Sequence, residues 1–372
     1  MESVDVCIIG GGMAGASIAY RIARDAKVLM LEREPHVAYH STGRSAALYH
    51  PQYGSTVIRA LTAASGPFYT SPPAEFGTVL SPRGSLVIGR TGQDKALAKH
   101  ESMAQASGQT VTRLSTAQVL ELVPQIRAEA ADWGLYDTLA MDMDVEVLLQ
   151  GFLRAARRDG MQLATGIEVT AIRRAGPRWR VVTTDREIDA AVVVNASGAW
   201  VDATAALAGI APLNLVPYRR TAFTFDAPPG VDVSRWPMII DAEEQFYVKP
   251  DAGRVLGSLS EEVASPPCDI QPDDLDVAIA VDRIESAMTF PINRVIRSWA
   301  GLRTFGPDRN PVSGFEESAP GFYWHGAIGG YGIQTSAALG AFAASMIAGR
   351  SLPAELAEHG VRIEDLAPAR LR

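Results

Sequence analysis

The spacing of apolar positions changes repeatedly along the chain, and each spacing predicts an element. Val6-Cys7-Ile8-Ile9 is a short β-branched run, too short for a helix and suited to a strand buried on both faces. Ile18 and Ile22, with Ala19 and Ala23, recur at helical spacing and predict a helix from about Ala14 to Asp25. Lys27 to Leu31 reads as a second strand ending at Glu32. Further on, Val147, Leu148, Phe152, Leu153 and Ala156 mark one face of an amphipathic helix over Asp144–Arg158. Alternation predicts strands at Ile167–Ile172 and Arg178–Val182, and an apolar run predicts another from Ala191 into Asn195-Ala196-Ser197-Gly198.

Between these α/β stretches lie two segments of different texture. From Ser71 to Ala140, Pro72-Pro73 and Ser81-Pro82-Arg83-Gly84 punctuate short strands such as Ser85–Gly89. A polar helix follows over about Asp94–Ser107, and Ser115-Thr116-Ala117-Gln118 has the form of a capping box. From Pro217 to Trp299 strands are predicted at Thr221–Phe225, Met238–Ile240, Gln245–Val248 and Val255–Leu259, with a helix over about Leu275–Met288. A return to the first texture is expected near Trp299, with Gly321–Trp324 as the last strand and a small-residue helix running to about Ala348. The fold class expected is therefore α/β, with the segment from Ser71 to Ala140 reading as a separate domain inserted into the first and the chain returning to the first texture after each intervening stretch.

The first strand runs into Gly10-Gly11-Gly12-Met13-Ala14-Gly15, with Gly10, Gly12 and Gly15 at the places of G-x-G-x-x-G. The first glycine permits the turn, the second lets backbone N–H groups approach a pyrophosphate, and the third allows close helix–strand packing. Glu32 stands where an acid grips a ribose diol, which selects an NAD- or FAD-type ligand over one with a 2′-phosphate. Next to Arg33, the loop His40–Ala47 offers Ser41, Thr42 and Ser45 to phosphate, with small Ala46 allowing a flat ring to lie close. Gly329-Gly330-Tyr331-Gly332-Ile333, ahead of the last helix, forms a second dipole site.

Composition narrows the partners. The 372 residues are 47% hydrophobic and 20% charged with net charge −8, which suits a globular enzyme and disfavours nucleic acid and anionic membranes. Two cysteines, Cys7 and Cys268, cannot build a disulfide framework or a cysteine metal site, and no metal is expected. No apolar stretch reaches the ~20 residues that span a bilayer, and acidic Glu2 and Asp5 do not suit a secretory leader. A cytoplasmic location is expected, with peripheral contact at the inner face of the membrane left open.

Together GGGMAGAS (Gly10–Ser17), LERE (Leu31–Glu34), YHSTGRSAA (Tyr39–Ala47), NASGAW (Asn195–Trp200), WAGLR (Trp299–Arg303) and GGYGIQTSAA (Gly329–Ala338) resemble the D-amino-acid oxidase and dehydrogenase superfamily of flavoproteins. That superfamily also holds glycine and sarcosine oxidases, and the chain is most similar to the bacterial D-arginine dehydrogenase type. The resemblance implies a discontinuous Rossmann-like FAD-binding domain (1–80, 141–215, 300–372) and a substrate domain on an antiparallel sheet (81–140, 216–299), with FAD held by Gly10, Gly12, Gly15, Glu32, Arg33, Ser41, Thr42, Ser45, Ala46, Val169, Gly198, Gly330, Gly332 and Ile333. Sarcosine-oxidase-like relatives attach flavin through a cysteine near the C-terminal flavin segment, and with Cys7 in the first strand and Cys268 in the substrate-domain half the FAD here is expected to be non-covalent. It implies oxidation of an amino acid to an imine that hydrolyses to a 2-oxo acid, with electrons passing to a quinone or other non-oxygen acceptor. The alternatives are a sarcosine- or glycine-oxidase-like enzyme using O₂, an NAD-dependent dehydrogenase, and a non-catalytic flavin-binding subunit.

By the same resemblance, Arg220 and Arg303 bind the substrate carboxylate, as fork-shaped cations suit that task. Tyr247 and Tyr53 line the pocket, and a carbonyl of the Gly329-Gly330 turn accepts from the amine. Arg219 is expected to face away from Arg220. Two positions depart from the D-arginine type: Leu48 replaces a histidine and Ser85 a glutamate, with His50 able to substitute only if its loop shifts. A wall of Leu48, Tyr53 and Ser85 without a carboxylate predicts small or medium neutral D-amino acids. Oxygen-using relatives carry a lysine beside the flavin, and here Val255 is expected at that place.

Overall fold

The structure is a computed structural model that describes residues 2–108 and 110–372. The chain forms a mixed α/β fold around two large sheets and one small one. In the first, strands Val28–Glu32, Glu2–Ile9, Glu187–Asn195 and Phe322–Gly326 run parallel in that spatial order, with Gln162–Thr165 parallel on the outer side of Val28–Glu32. Antiparallel strands Val169–Ala175 and Arg178–Thr183 extend the sheet from Glu187–Asn195, and Val312–Phe315 pairs antiparallel with Phe322–Gly326.

The first apolar run is continuous because the sheet is covered on both sides. Ile8, Met30 and Val194 pack under helices Met13–Ile22, Val145–Arg158 and Ser336–Ile347, whereas Cys7, Leu29 and Val193 join Trp179, Trp324 and Val201 on the other face. Cys7 is fully buried there, and burial pushes its thiol up to about 12, as suits an inert core residue.

The second sheet has nine strands. Val263–Ala264, Val216–Phe225, Arg254–Ser258, Tyr247–Asp251, Met238–Asp241, Ser85–Gly89, Trp133–Asp137 and Thr112–Ser115 lie in order, with Val295–Phe305 along the long strand Val216–Phe225. All pairings are antiparallel except Met238–Asp241 with Ser85–Gly89. Helix Asp274–Ala287 packs Ala280 and Ile284 against Phe223, Val248 and Val255 on the back of this sheet. The expected boundary near residue 300 falls inside a strand: Val295–Phe305 stays in register with Val216–Phe225 throughout, so the return to the first sheet comes after Phe305.

Helix Thr56–Thr70 has no counterpart in the periodicity, because Gly66-Pro67 reads as a breaker. Its last turn survives through tertiary bonds: Tyr69 donates to the Ile333 carbonyl at 2.8 Å, and Ser65 Oγ accepts from Ala338 N at 3.0 Å. The capping box at Ser115 is present and opens helix Thr116–Leu122. No described helix is long and apolar enough to cross a membrane.

Candidate active site

A cavity of about 630 Å³ opens at the carboxyl ends of the parallel strands, where α/β sheets place their ligands. Its volume lies within the ~300–1,000 Å³ of organic ligand sites. Gly10 and Gly12 line it, and Gly10 has φ +114°. A Cβ there would stand 2.3 Å from the Ala196 carbonyl oxygen, so the turn admits no side chain. Gly15 is not on the lining: its place is the helix–strand contact, where a Cβ would come 2.1 Å from the Gly10 oxygen.

Glu32 reaches the lining with its carboxylate held by backbone N–H groups, Gly11 at 2.8 Å and Glu34 at 2.9 Å. Thr42 Oγ1 accepts from Met13 N at 3.1 Å, fastening the polar loop to the first helix. Ser41 Oγ donates to the Leu302 carbonyl, and Arg33 lies 4.3 Å over the Trp200 ring. Ser41, Thr42, Ser45, Ala46, Val169, Gly198, Gly330, Gly332 and Ile333 all line the same cavity, as does Arg33. Cys268, between strand Val263–Ala264 and helix Asp274–Ala287, also lines it, so its place in the substrate-domain half does not separate it from this cavity.

His325, which the sequence reading did not single out, adds a buried donor. Its Nδ1 is 3.0 Å from Ser313 Oγ, which is 2.8 Å from Tyr323 Oη. The arrangement that uses every buried hydrogen has Tyr323 donating to Ser313 and Ser313 donating to Nδ1, which leaves the proton on Nε2. That Nε2 has no partner, on a 1% exposed residue of the cavity lining, and burial lowers the imidazole to about 4 and keeps it neutral. An orphaned donor, a glycine turn with no room for Cβ and a helix N-terminus together fit a dinucleotide with acceptor-rich phosphates and hydroxyls.

A second cavity of about 130 Å³ adjoins the first and shares Arg220, Arg303, Tyr247, Gly330, Ser45, Ala46 and Ile333 with it. Alternation along Val216–Phe225 sends Arg220 to the cavity and Arg219 to the back, where Arg219 pairs with Asp276 at 2.5 Å. Arg220 Nε donates to the Glu261 carbonyl at 2.7 Å, and its ion pair with Glu262 is long at 3.5 Å. Burial and the neighbouring Arg303 lower the Arg220 guanidinium from its ordinary range. Arg303 lies against Gly330, where a Cβ would come within 2.9 Å of its Nη1. Tyr53 and Tyr247 are both on the lining, and burial pushes the Tyr53 phenol up.

The far wall differs from the expected one. Leu48 and Ser85 line it, but so do His50, Asp137 and Glu244. His50 Nε2 lies 3.0 Å from Ser85 Oγ and 3.3 Å from Asp137 Oδ2. The expectation of a wall without carboxylates is therefore corrected, and the preference for neutral side chains loses its premise. Asp137 was missed because it reaches the site through strand pairing, opposite Ser85 in the register, and nothing local marks it. Val87 faces the cavity while Leu86 is buried behind the sheet.

Val255 is corrected likewise. It packs into the core behind the sheet, and Leu256 faces Ala46, Ala222 and Tyr247 on the site side. Lys249 is on the next strand opposite Leu256, but its ammonium is buried against Asp142 at 2.8 Å, away from both cavities.

Comparison with known proteins accords with this geometry. The model of the family described as FAD dependent oxidoreductase matches residues 5–346, and the chain belongs to that family. It is 24% identical over 406 residues to FAD-dependent oxidoreductase domain-containing protein 1 of Bos taurus, covering 93% of this chain and 81% of the relative. L-proline dehydrogenase from P. horikoshii superposes with TM-score 0.84 at 23% identity, covering 95% and 96% of the two chains. Glycine oxidase from Geobacillus kaustophilus gives 0.82 at 22% identity, covering 94% and 96%. The family supplies FAD as the cofactor, and the lining described above fits it.

Proposed function

With family membership as the premise, we propose that the chain is an FAD-dependent dehydrogenase of α-amino acids, D-configured as the motif resemblance implies. The parallel-sheet segments hold FAD non-covalently, and the nine-stranded sheet supplies the substrate site. The observation that carries this reading is the pair Arg220 and Arg303, whose guanidinium groups share one small cavity next to the cofactor cavity. Burial lowers the Arg220 guanidinium most and the neighbouring Arg303 lowers it further, and a carboxylate entering between the two cations relieves their repulsion. A bidentate guanidinium fixes the carboxylate's orientation as well as its charge.

When bound, FAD supplies the two-electron acceptor for hydride from the substrate α-carbon. Arg220 and Arg303 hold the carboxylate, Tyr53 and Tyr247 close the site against water, and a carbonyl of the Gly329-Gly330 turn accepts from the amine. The amine binds neutral, its ammonium proton having passed to solvent before the site closes, so that loss of hydride from the α-carbon gives an iminium, which water hydrolyses to a 2-oxo acid and ammonium. Catalysis on this reading is orientation in a dry cavity, and no side chain need act as general base. Two structural neighbours, an L-proline dehydrogenase and a glycine oxidase, support a substrate with an amine next to a carboxylate.

The electrons pass to a quinone or other non-oxygen acceptor, because no lysine among the described residues lines either cavity: Leu256 faces the site side and the ammonium of Lys249 opposite it is taken by Asp142. The test is anaerobic flavin bleaching across D- and L-amino acids and N-methyl amines. Bleaching by D-amino acids supports the reading. Bleaching by N-methylglycine alone would replace it with a secondary-amine oxidase.

A further inference from the structure

Arg220 stands on the long strand Val216–Phe225 where the pairing along one edge is interrupted. Phe223 opposes Gly257 of strand Arg254–Ser258, and Arg219 opposes Val263 of strand Val263–Ala264. Between those pairs the long strand advances four residues, from 223 to 219, while the returning chain advances six, from 257 to 263. Two residues are therefore extruded as a bulge, and a bulge beside a site bends its strand and re-aims a side chain. Ser260, at φ +63°, is in the left-handed region that favours glycine, and it lines the small cavity. That conformation is strained and persists only when its surroundings hold it.

The bonds that hold it converge on Arg220. Glu261 Oε1 accepts from Thr221 N, the backbone donor that the bulge leaves without a strand partner on this edge. Ser258 Oγ donates to the Thr221 carbonyl at 2.6 Å. The Glu261 carbonyl accepts from Arg220 Nε at 2.7 Å, and Glu262 Oε1 lies 3.5 Å from Arg220 Nη2. Glu262 is itself fixed by Arg309 Nη2, at 2.8 and 3.0 Å from its two oxygens. Glu261 Oε2 is buried without a partner, so this carboxylate is compensated by the Thr221 N–H and by the charge of nearby Arg220. A guanidinium offers two forks, Nε with Nη2 along its side and Nη1 with Nη2 at its end. The bulge takes the side fork, which leaves the end fork for a carboxylate in the cavity that Arg220 lines.

We propose that Glu261, which is on neither cavity lining, is a positioning residue for Arg220. Its side chain seats the bulge on Thr221 N and its carbonyl then holds Nε, so the end fork faces an entering carboxylate. This role rests on the carboxylate-binding reading of Arg220 above and names what fixes that arginine's aim.

The experiment titrates the holoenzyme with acetate and propionate, and with acetamide and propionamide as neutral counterparts, reading Kd from the perturbed flavin absorbance. Two conservative variants separate reach from charge. Glu261→Gln keeps an acceptor for Thr221 N without the charge, and Glu261→Asp keeps the charge one methylene short of that donor. Wild type is expected to favour each carboxylate over its carboxamide. Glu261→Gln should keep carboxylate Kd within about threefold of wild type, and Glu261→Asp should raise it about tenfold with the carboxamides unchanged. A tenfold loss in Glu261→Gln would overturn the role, since charge and not reach would then matter, and this arm decides even if Glu261→Asp does not fold. Carboxylate Kd unchanged in Glu261→Asp, or carboxamides weakened there as much as carboxylates, would overturn it too. Each of these results leaves the carboxylate-binding reading standing, because wild type still prefers carboxylates. A wild type with no such preference would overturn both.

Discussion

Arg219 and Arg220 are adjacent in sequence and opposite in surroundings. Alternation along one strand sends Arg219 to Asp276 and Arg220 to the cavity, and this much follows from strand periodicity alone. Lysine keeps the charge but loses the fork, so Arg220→Lys or Arg303→Lys should cost about 1.5–3 kcal/mol, or about 10- to 150-fold in kcat/KM. Arg219→Lys should leave kcat/KM within about twofold, as a pair behind the sheet touches no substrate. Steady-state kinetics with a dye acceptor on the three variants checks both statements; an equal loss in all three would place the arginines in a structural role. Asp137 and Glu244 were not legible in the same way. Their position depends on which strand lies next to Ser85–Gly89, and pairing partners distant in sequence leave no local mark.

At the scale of elements, the glycine turn was the most legible part, because its chemistry is local. Gly10→Ala would put a Cβ 2.3 Å from a backbone oxygen at φ +114°, where backbone strain alone costs about 1–3 kcal/mol. The variant is expected to purify with little flavin, read from the ratio of visible to ultraviolet absorbance; full flavin occupancy would mean that the turn is looser than its geometry. Helix Thr56–Thr70 was illegible for the opposite reason: Pro67 forbids one backbone bond locally, and contacts with helix Ser336–Ile347 outweigh it. The strand Arg254–Ser258 shows a finer limit. Its existence was legible, but a one-residue error in register reverses every side chain, so Leu256 and not Val255 faces the site. Either residue is apolar, and slow reoxidation by O₂ is expected. Stopped-flow mixing of reduced enzyme with oxygenated buffer, compared with a quinone, measures it; oxygen matching the quinone would show that another cation serves.

For the whole molecule, the two-sheet division was legible as a change of texture, and its hidden cost is the polar matter buried on the strands that line the large cavity. His325 is the clearest case. Its folded pKa of about 4 lies below the ordinary 6.5, because burial disfavours the charged ring. Between those values the unfolded chain binds a proton that the folded chain does not, so stability is complete above about pH 6.5 and falls as pH drops towards 4. By pH 5 the loss is about 2 kcal/mol for this one group. Carboxylates held low, such as Asp308 and Glu316, act in the same direction but only below the usual carboxylate range. Glu261, raised by burial, binds its proton earlier in the folded state and offsets part of the loss. His325→Leu should therefore flatten the slope between pH 6.5 and 5 while leaving the steeper decline at lower pH. Urea unfolding of the flavin-free protein at half-unit pH steps measures that slope, free of the contribution of bound FAD. An unchanged slope in the variant would mean that His325 is protonated or solvated in the folded protein, and that the Tyr323–Ser313–His325 chain does not hold the ring neutral.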